Sequence, residues 1–226
     1  MILQRVDLSA WTASFRYPNL ISGYQPTLDV PPLSTVLGLI NAAAGRYLPY
    51  EEDFIIGYYF EYAARAEDLE TVYQIEGKSG RPTNDAKANI MRREFLFDVK
   101  LSVYLEDVRF ASFFKEPVFP LLLGRSGDLA TVEAVKEVNL DEVFGASRIK
   151  GQIVPFAGNF LPGKLQALPR YFTDELPRRN LGTEAFTVIK FDATDFPCKL
   201  SALRDPSKGK NGVDIYMHRF NFKDLK

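Results

Sequence analysis

The stretch YQPTLDVPPLSTVLGLINAAAG, Tyr24 to Gly45, limits the fold more than any other part of the chain. Val36, Leu37, Ile40, Ala43, Ala44 and Tyr47 recur at helical spacing, which predicts a helix from about Ser34 to Tyr47. Pro31 and Pro32 stiffen its approach, and the Ser34 and Thr35 hydroxyls stand where a helix start takes a cap. Gly38 costs roughly 1 kcal/mol against alanine inside a helix, so it is expected to mark close packing on a sheet. Away from this helix the chain reads mainly as extended runs, which makes it an α+β chain.

The runs come in a definite order. Ile2 to Phe15 reads as a first strand, and the proline- and glycine-punctuated Tyr17 to Leu33 as an ordered loop. After the helix, FIIGYYFEY (Phe54–Tyr62), Leu69 to Ile75 and Met91 to Leu105 read as strands. Between the last two lies EGKSGRPTNDAKANIMRR, Glu76 to Arg93, polar, turn-rich and basic. An insert this long projects as a hairpin arm at about 70–97. Arg109 to Lys115 fits a short amphipathic helix, Pro117 to Leu123 a buried extended run, and Leu129 to Leu140 a strand. This order is that of a ferredoxin-like, or RRM-like, unit over residues 1–144. From Gly145 to Lys226 the runs are short and cut by proline and glycine, as expected of a smaller, mainly β lobe.

Scarcity excludes several chemistries. Cys198 and His218 are the one cysteine and the one histidine of the chain, so it cannot form an internal disulfide or a zinc site of Cys and His ligands. A serine or cysteine triad would have to use His218. No cofactor motif is present, and GRSGD (Gly124–Asp128) lacks the spacing of a phosphate-binding P-loop. No apolar run is long enough to span a membrane, and Arg5 and Asp7 interrupt the apolar start, so a cytoplasmic protein is expected. The net charge of −1 hides an uneven distribution: −7 over residues 1–144 and +6 over 145–226. In one acidic stretch Glu51, Glu52, Asp53, Glu61, Glu67, Asp68, Glu70 and Glu76 are accompanied by Arg65 alone. Separate basic and acidic surfaces suit a phosphate ligand on one and a basic partner on the other.

Three segments carry a family resemblance: FRYP (Phe15–Pro18) followed by YQPTLDVPPLSTVLGLINAA, RREFLFDVKLSVYL (Arg92–Leu105), and FPLLLGRSGDLATVEAVKEVNL (Phe119–Leu140). In that order and spacing the chain resembles the Cas-five family of CRISPR-associated proteins, RAMP-type subunits of the type I Cascade complex. The likeness covers residues 1 to 140 and reaches the second lobe only loosely. It implies a ferredoxin-like domain with a β-hairpin thumb that grips the 5′ handle of the guide RNA (crRNA). It also implies partners: the Cascade backbone subunits, the large subunit and, through the complex, target DNA near its flanking motif.

The expected RNA-binding residues follow from both lines. Exposed N–H groups at the helix mouth, with Ser34 and Thr35, suit a phosphate. Arg16, Tyr17 and Tyr24 combine charge with rings that stack on bases. Lys78, Arg81, Lys87, Arg92 and Arg93 lie on the thumb, where the adjacent Arg92 and Arg93 point to opposite faces. Gly124, Arg125 and Ser126 form a glycine turn that lets backbone approach a ligand. Some members of the family cut the precursor guide RNA without metal and are associated with a Tyr-Lys-His set. Here Tyr47, Tyr50, Lys100 and Lys115 are present in the central region without a histidine. A non-catalytic binding subunit is therefore expected. A metal-independent endoribonuclease and an unrelated RRM-like protein-interaction module are the alternatives.

Overall fold

Alternating side chains in the first fifteen residues become, in the computed structural model, the strand β1 (Ile2–Ala13). The structure describes residues 1–20, 23–48 and 54–220; Tyr50, Glu51, Glu52 and Asp53 lie outside them. Val6, Leu8 and Ala10 of β1 are buried on one face. Next come β2 (Tyr24–Gln25), α1 (Leu33–Ala44), β3 (Phe54–Lys78) and β4 (Arg81–Leu105). A short helix α2 (Val108–Ser112) runs into a single 3-10 turn (Phe113–Lys115), followed by β5 (Leu121–Leu122), β6 (Leu129–Asn139) and β7 (Asp141–Phe144). The remainder holds β8 (Gln152–Pro155), β9 (Lys164–Pro169), β10 (Thr183–Ile189), β11 (Ser201–Asp205), β12 (Val213–Ile215) and β13 (His218–Phe220). The fold is thus mostly antiparallel sheet with few helices. No helix among the described residues is long and apolar enough to cross a membrane.

The main sheet runs β13-β3-β4-β1-β6-β5, with β2 added in parallel beside β4. Leu33, Val36, Leu37, Leu39, Ile40 and Ala43 of α1 bury themselves on one face of it, together with Phe60, Leu101 and Val103. At roughly 1.5–3 kcal/mol per large buried aliphatic side chain, this face is the main source of stability. The other face is covered in part by the chain after Asn139. Leu3, Tyr59 and Tyr104 pack there with Leu203, Val213 and Ile215. Of the two three-stranded sheets, β12-β11-β7 lies on this face, whereas β8-β10-β9 packs into the α1 cluster through Ile153, Leu168 and Phe186, and β13 returns to the main sheet beside β3.

The helix begins one residue earlier than the hydroxyls suggest. Pro32 is its N-cap, without a side-chain cap, and its carbonyl accepts from Thr35 N–H at 2.9 Å. Ser34 and Thr35 are half-buried in the first turn, so the expected hydroxyl cap is absent. Pro31 C=O instead takes the buried Tyr58 hydroxyl at 2.7 Å, fixing the loop on the sheet. Gly38 is exposed, with open space where a Cβ would stand, so it marks no close packing. The helix also ends at Ala44, short of Tyr47.

The predicted pair of strands after Phe54 is a single strand of 25 residues, and β4 opposite it has the same length. The polar insert is therefore no loop. Its residues pair across the ladder up to Lys78 and Arg81, and Ser79-Gly80 close it. Both turn residues have positive φ, 55° and 74°, as a two-residue hairpin requires. Pro117 to Pro120 is exposed rather than buried. This segment docks through its backbone: Val118 and Phe119 N–H donate to Ala43 and Ala42 C=O at 3.0 and 3.1 Å, the end of α1.

Candidate nucleic-acid interface

The arm and the sheet meet where β1 ends and β2 replaces it beside β4. Tyr24 and Gln25 stand opposite Arg92 and Arg93. Alternation along β4 sends the two arginines to opposite faces, as predicted. The Arg92 side chain is exposed, while Arg93 is only 5% exposed. Arg92 donates through Nε to Glu67 Oε2 at 3.1 Å, and its guanidinium lies 5.5 Å from the Tyr24 ring centre. The Tyr24 hydroxyl donates to Glu94, which pushes its pKa up to about 12. Arg65 Nη1 reaches the same carboxylate at 2.9 Å, and Thr27 N–H at 3.1 Å.

Arg65 ties this cluster to a second one. It pairs with Asp29, whose other oxygen accepts from Lys164 at 2.9 Å. The Tyr62 hydroxyl donates to Asp29 at 3.0 Å. These three donors hold the Asp29 carboxyl below the usual range although burial opposes them. The same residues, with Lys190, wall a cleft of about 580 Å³.

On the buried side of β4, three arginines converge. Burial first, then the charges of Arg16 and Arg125, lower the pKa of Arg93, with Glu70 acting against them. Arg93 Nη1 lies 2.6 Å from Glu70 Oε2, while its Nε has no hydrogen-bond partner among the described residues. Arg125 is held by Asp128, which is only 1% exposed, through its backbone N–H at 2.9 Å and its guanidinium at 3.2 Å. It also lies over Phe95. The glycine turn has a structural cause: Gly124 has φ 127°, and a Cβ there would sit 2.0 Å from Ser14 O. Arg16 is exposed, and its backbone bridges Thr27.

The structure thus brings together Arg16, Tyr24, Arg92, Arg93 and Arg125 at the root of the arm. Tyr17 is half-buried and packs against the core, and Ser126 belongs to the turn. Lys78 and Arg81 face each other at the tip. They stand nine ladder steps from the Leu69–Arg92 pair, roughly 30 Å at about 3.3 Å per residue. Lys87 is exposed midway, 3.5 Å from Glu76. Ser34 and Thr35 lie apart from all of these. Beside them Leu33 opens on a cavity of about 340 Å³ walled by Arg170, His218 and Arg219. Lys100 and Lys115 are exposed, and Tyr47 lies against Tyr171 at the end of α1.

Spacing did not reveal Arg65, Lys164 or the carboxylates Glu67, Glu70 and Glu94. Arg65 did have one signal, as the lone cation in an acidic stretch. The acid there is the counterpart of the thumb cations: Glu67 meets Arg92, Glu70 meets Arg93, and Asp68 lies 3.9 Å from Arg125.

No family model and no curated protein sequence matches the chain. Among solved structures, it matches a chain of a CRISPR RNA-guided surveillance complex with a TM-score of 0.56 and 17% identity, over 88% of this chain and 92% of that one. It matches a chain of the type III-B Cmr-beta complex, bound to cognate target RNA and AMPPnP, with a TM-score of 0.54 and 10% identity over 82% and 84%. With the same complex bound to cognate target RNA, the TM-score is 0.50 at 11% identity over 82% and 84%. At these identities the likeness is one of architecture, and the chain has the fold of protein subunits found in CRISPR RNA-guided complexes.

Proposed function

We propose that the chain is a non-catalytic subunit of a type I CRISPR Cascade complex, binding and capping the 5′ handle of the guide RNA at the root of its arm. The observation that carries this is the arginine cluster around Arg93. A buried guanidinium with an unmet N–H, beside two further arginines, is completed by an anion. Tyr24 and Arg92, on the other face of β4, supply an exposed ring and cation at the same point of the strand, the pair that holds a single-stranded backbone and base. The arm then lies along the RNA, with Lys87, Lys78 and Arg81 as later phosphate contacts.

The strand order supports a ferredoxin-like reading of the first 144 residues. Taking β1, β3, β4 and β6 as its four strands, the observed sequence β3-β4-β1-β6 is antiparallel throughout, with α1 and α2 as crossovers. Leu69, Tyr73, Ile75 and Ile90 are large exposed side chains of the arm. They fit contact with the backbone and large subunits, which bring the handle to the motif flanking the DNA target. A cytoplasmic location belongs to the same reading.

Non-catalysis rests on His218. Its ring is 4% exposed, sits between Tyr58 and Tyr216, and has its pKa driven down to about 3 by burial. A group so placed neither reaches a ribose 2′-hydroxyl nor exchanges a proton near neutral pH. The test incubates the chain with a labelled repeat RNA from its own CRISPR locus, with EDTA present. Intact RNA, shifted through its 5′ handle and released at least 10-fold more easily by Tyr24→Ala with Arg92→Ala, is expected. Both side chains are exposed, so circular dichroism of the variant should match the parent. Cleavage at one site would make the chain a processing nuclease. No binding in low salt, alone or with backbone subunits, would leave a protein-interaction module.

A further inference from the structure

We propose a second single-stranded nucleic-acid surface, on the sheet face opposite α1, where Trp11 and Phe97 form a platform for stacked bases. It is independent of the handle site at the arm root. Trp11 is 76% and Phe97 40% exposed, and their ring centres are 5.9 Å apart. They sit on β1 and β4, the two neighbouring central strands of the sheet.

The backbone holds Phe97 in this place. Val103, Leu101 and Val99 alternate as buried residues of β4, and the next buried residue is Leu96 rather than Phe97. Between them Asp98 has φ 49°, a left-handed conformation uncommon outside glycine. The irregularity breaks the alternation and turns Phe97 outward beside Trp11. Strain of this kind persists where the surrounding structure imposes it, often at a binding surface. The α1 face is already filled by Val6, Leu8, Ala10 and their partners, so neither ring is needed in the core.

The surrounding charge specifies the occupant. Lys100 is exposed, in register with Ser9, two residues along β1 from Trp11. Two steps along a strand is about 7 Å. Further along, the face opens into a cleft of about 760 Å³ whose walls include Lys100, Lys150, Lys208 and Lys210. Asp98 beside Phe97 is an exposed carboxylate, but Asp7 and Glu61, on the two strands flanking Lys100, are engaged. Asp7 is met by Arg5, Lys136 and Lys208 at 3.2, 3.4 and 2.8 Å, and Glu61 accepts from the Tyr59 hydroxyl at 2.7 Å. Two open rings beside lysines complement a single strand, with bases on the rings and phosphates on the ammonium groups. Because every base has a face to stack, this surface is sequence-tolerant, unlike the handle site.

Trp11 is the one tryptophan of the chain, so its fluorescence reports the site directly. The probe is a ten-nucleotide oligouridylate titrated at low salt. Saturable quenching, reversed by salt, is expected. Phe97→Ala should weaken it at least about 5-fold. Lys100→Ala should lower the slope of log affinity against log salt by about one. In fluorescence anisotropy of the labelled oligonucleotide, Trp11→Phe should bind and Trp11→Ala should not. The double variant Tyr24→Ala, Arg92→Ala should quench as the parent does, which separates this surface from the handle site. If quenching is absent, or unchanged in both Phe97→Ala and Lys100→Ala, the platform is wrong. A tryptophan signal that moves only when protein subunits of the effector complex are added would assign the face to a protein contact and overturn the proposal.

Discussion

Glu67 and Arg92 show how much of the interface is decided between single residues. At the arm root Arg92, Arg93 and Arg125 each already lean on a carboxylate, so a phosphate that reaches them must displace one charge to gain another. An exposed ion pair contributes about 0.2–1 kcal/mol. Glu67→Gln removes the competitor but leaves Arg92 charged, and should tighten handle binding about 2- to 5-fold in a filter-binding titration. Arg92→Ala should weaken it. If Glu67→Gln weakens binding instead, the carboxylate orients Arg92 rather than competing for it. His218 gives a pH dependence of definite sign. Its folded pKa, about 3, lies below the ordinary histidine value of 6.5, so between these pH values the unfolded chain binds more protons. Stability from this residue is therefore full above pH 6.5 and falls by up to about 1.4 kcal/mol per pH unit as pH drops towards 3. Ordinary carboxylates have pKa values near 4 and begin to take up protons at about pH 5, which leaves about pH 6.5 to 5.5 as the cleaner window. Urea midpoints across that window should slope in the parent and flatten in His218→Phe. The two adjacent arginines on opposite faces were legible from strand alternation alone. Their carboxylate partners were not, because pairing depends on the register between strands about 25 residues apart.

At the scale of elements, the arm makes the clearest case. Its strands were visible as two extended runs, yet a polar middle reads as a loop when no buried face enforces alternation. What keeps the insert extended is the ladder and its two-residue turn, neither of which needs apolar residues. Gly80, at φ 74°, meets nothing within 4 Å, so backbone conformation alone selects it. Gly80→Ala should cost the arm about 1 kcal/mol. Because the arm tip packs on nothing else among the described residues, amide exchange should quicken near Lys78 and Arg81 while the thermal midpoint of the whole chain stays within about a degree. A global loss of stability would mean that the arm is part of the cooperative unit. The helix mouth teaches the opposite lesson. Prolines and hydroxyls gave the start of α1 to within a residue, but Tyr58, distant in sequence, decided that the Pro31 carbonyl was satisfied from the sheet.

For the whole molecule, the change of texture near Gly145 was legible, but the connections made across it were not. Ile153, Leu168, Phe186 and Phe220 share one buried cluster with α1 and the main sheet. The outer sheet face carries Arg5, which donates to Asp205 at 2.6 Å, while Tyr104 donates to the same carboxylate at 2.7 Å. Both partners of the ion pair are buried, and nothing local in either sequence announces a contact 200 positions away. Removing Asp205 leaves the buried Arg5 with Asp7, 3.2 Å away, as its remaining carboxylate, so the cost stays at or below the lower end of the about 3–5 kcal/mol of a fully unpaired buried charge. Asp205→Ala should therefore lower the unfolding free energy, extrapolated from urea denaturation, by up to about 3 kcal/mol in a single transition. Replacing both groups with apolar residues, Arg5→Met with Asp205→Leu, should recover much of the loss, since a buried pair gives little net stability over a well-packed apolar one. Two separate transitions in Asp205→Ala would mean that the chain on either side of Gly145 folds on its own. One transition would mean that the strands after Gly145 are part of what holds the sheet, and with it the arm root, in the shape that the proposed RNA site requires.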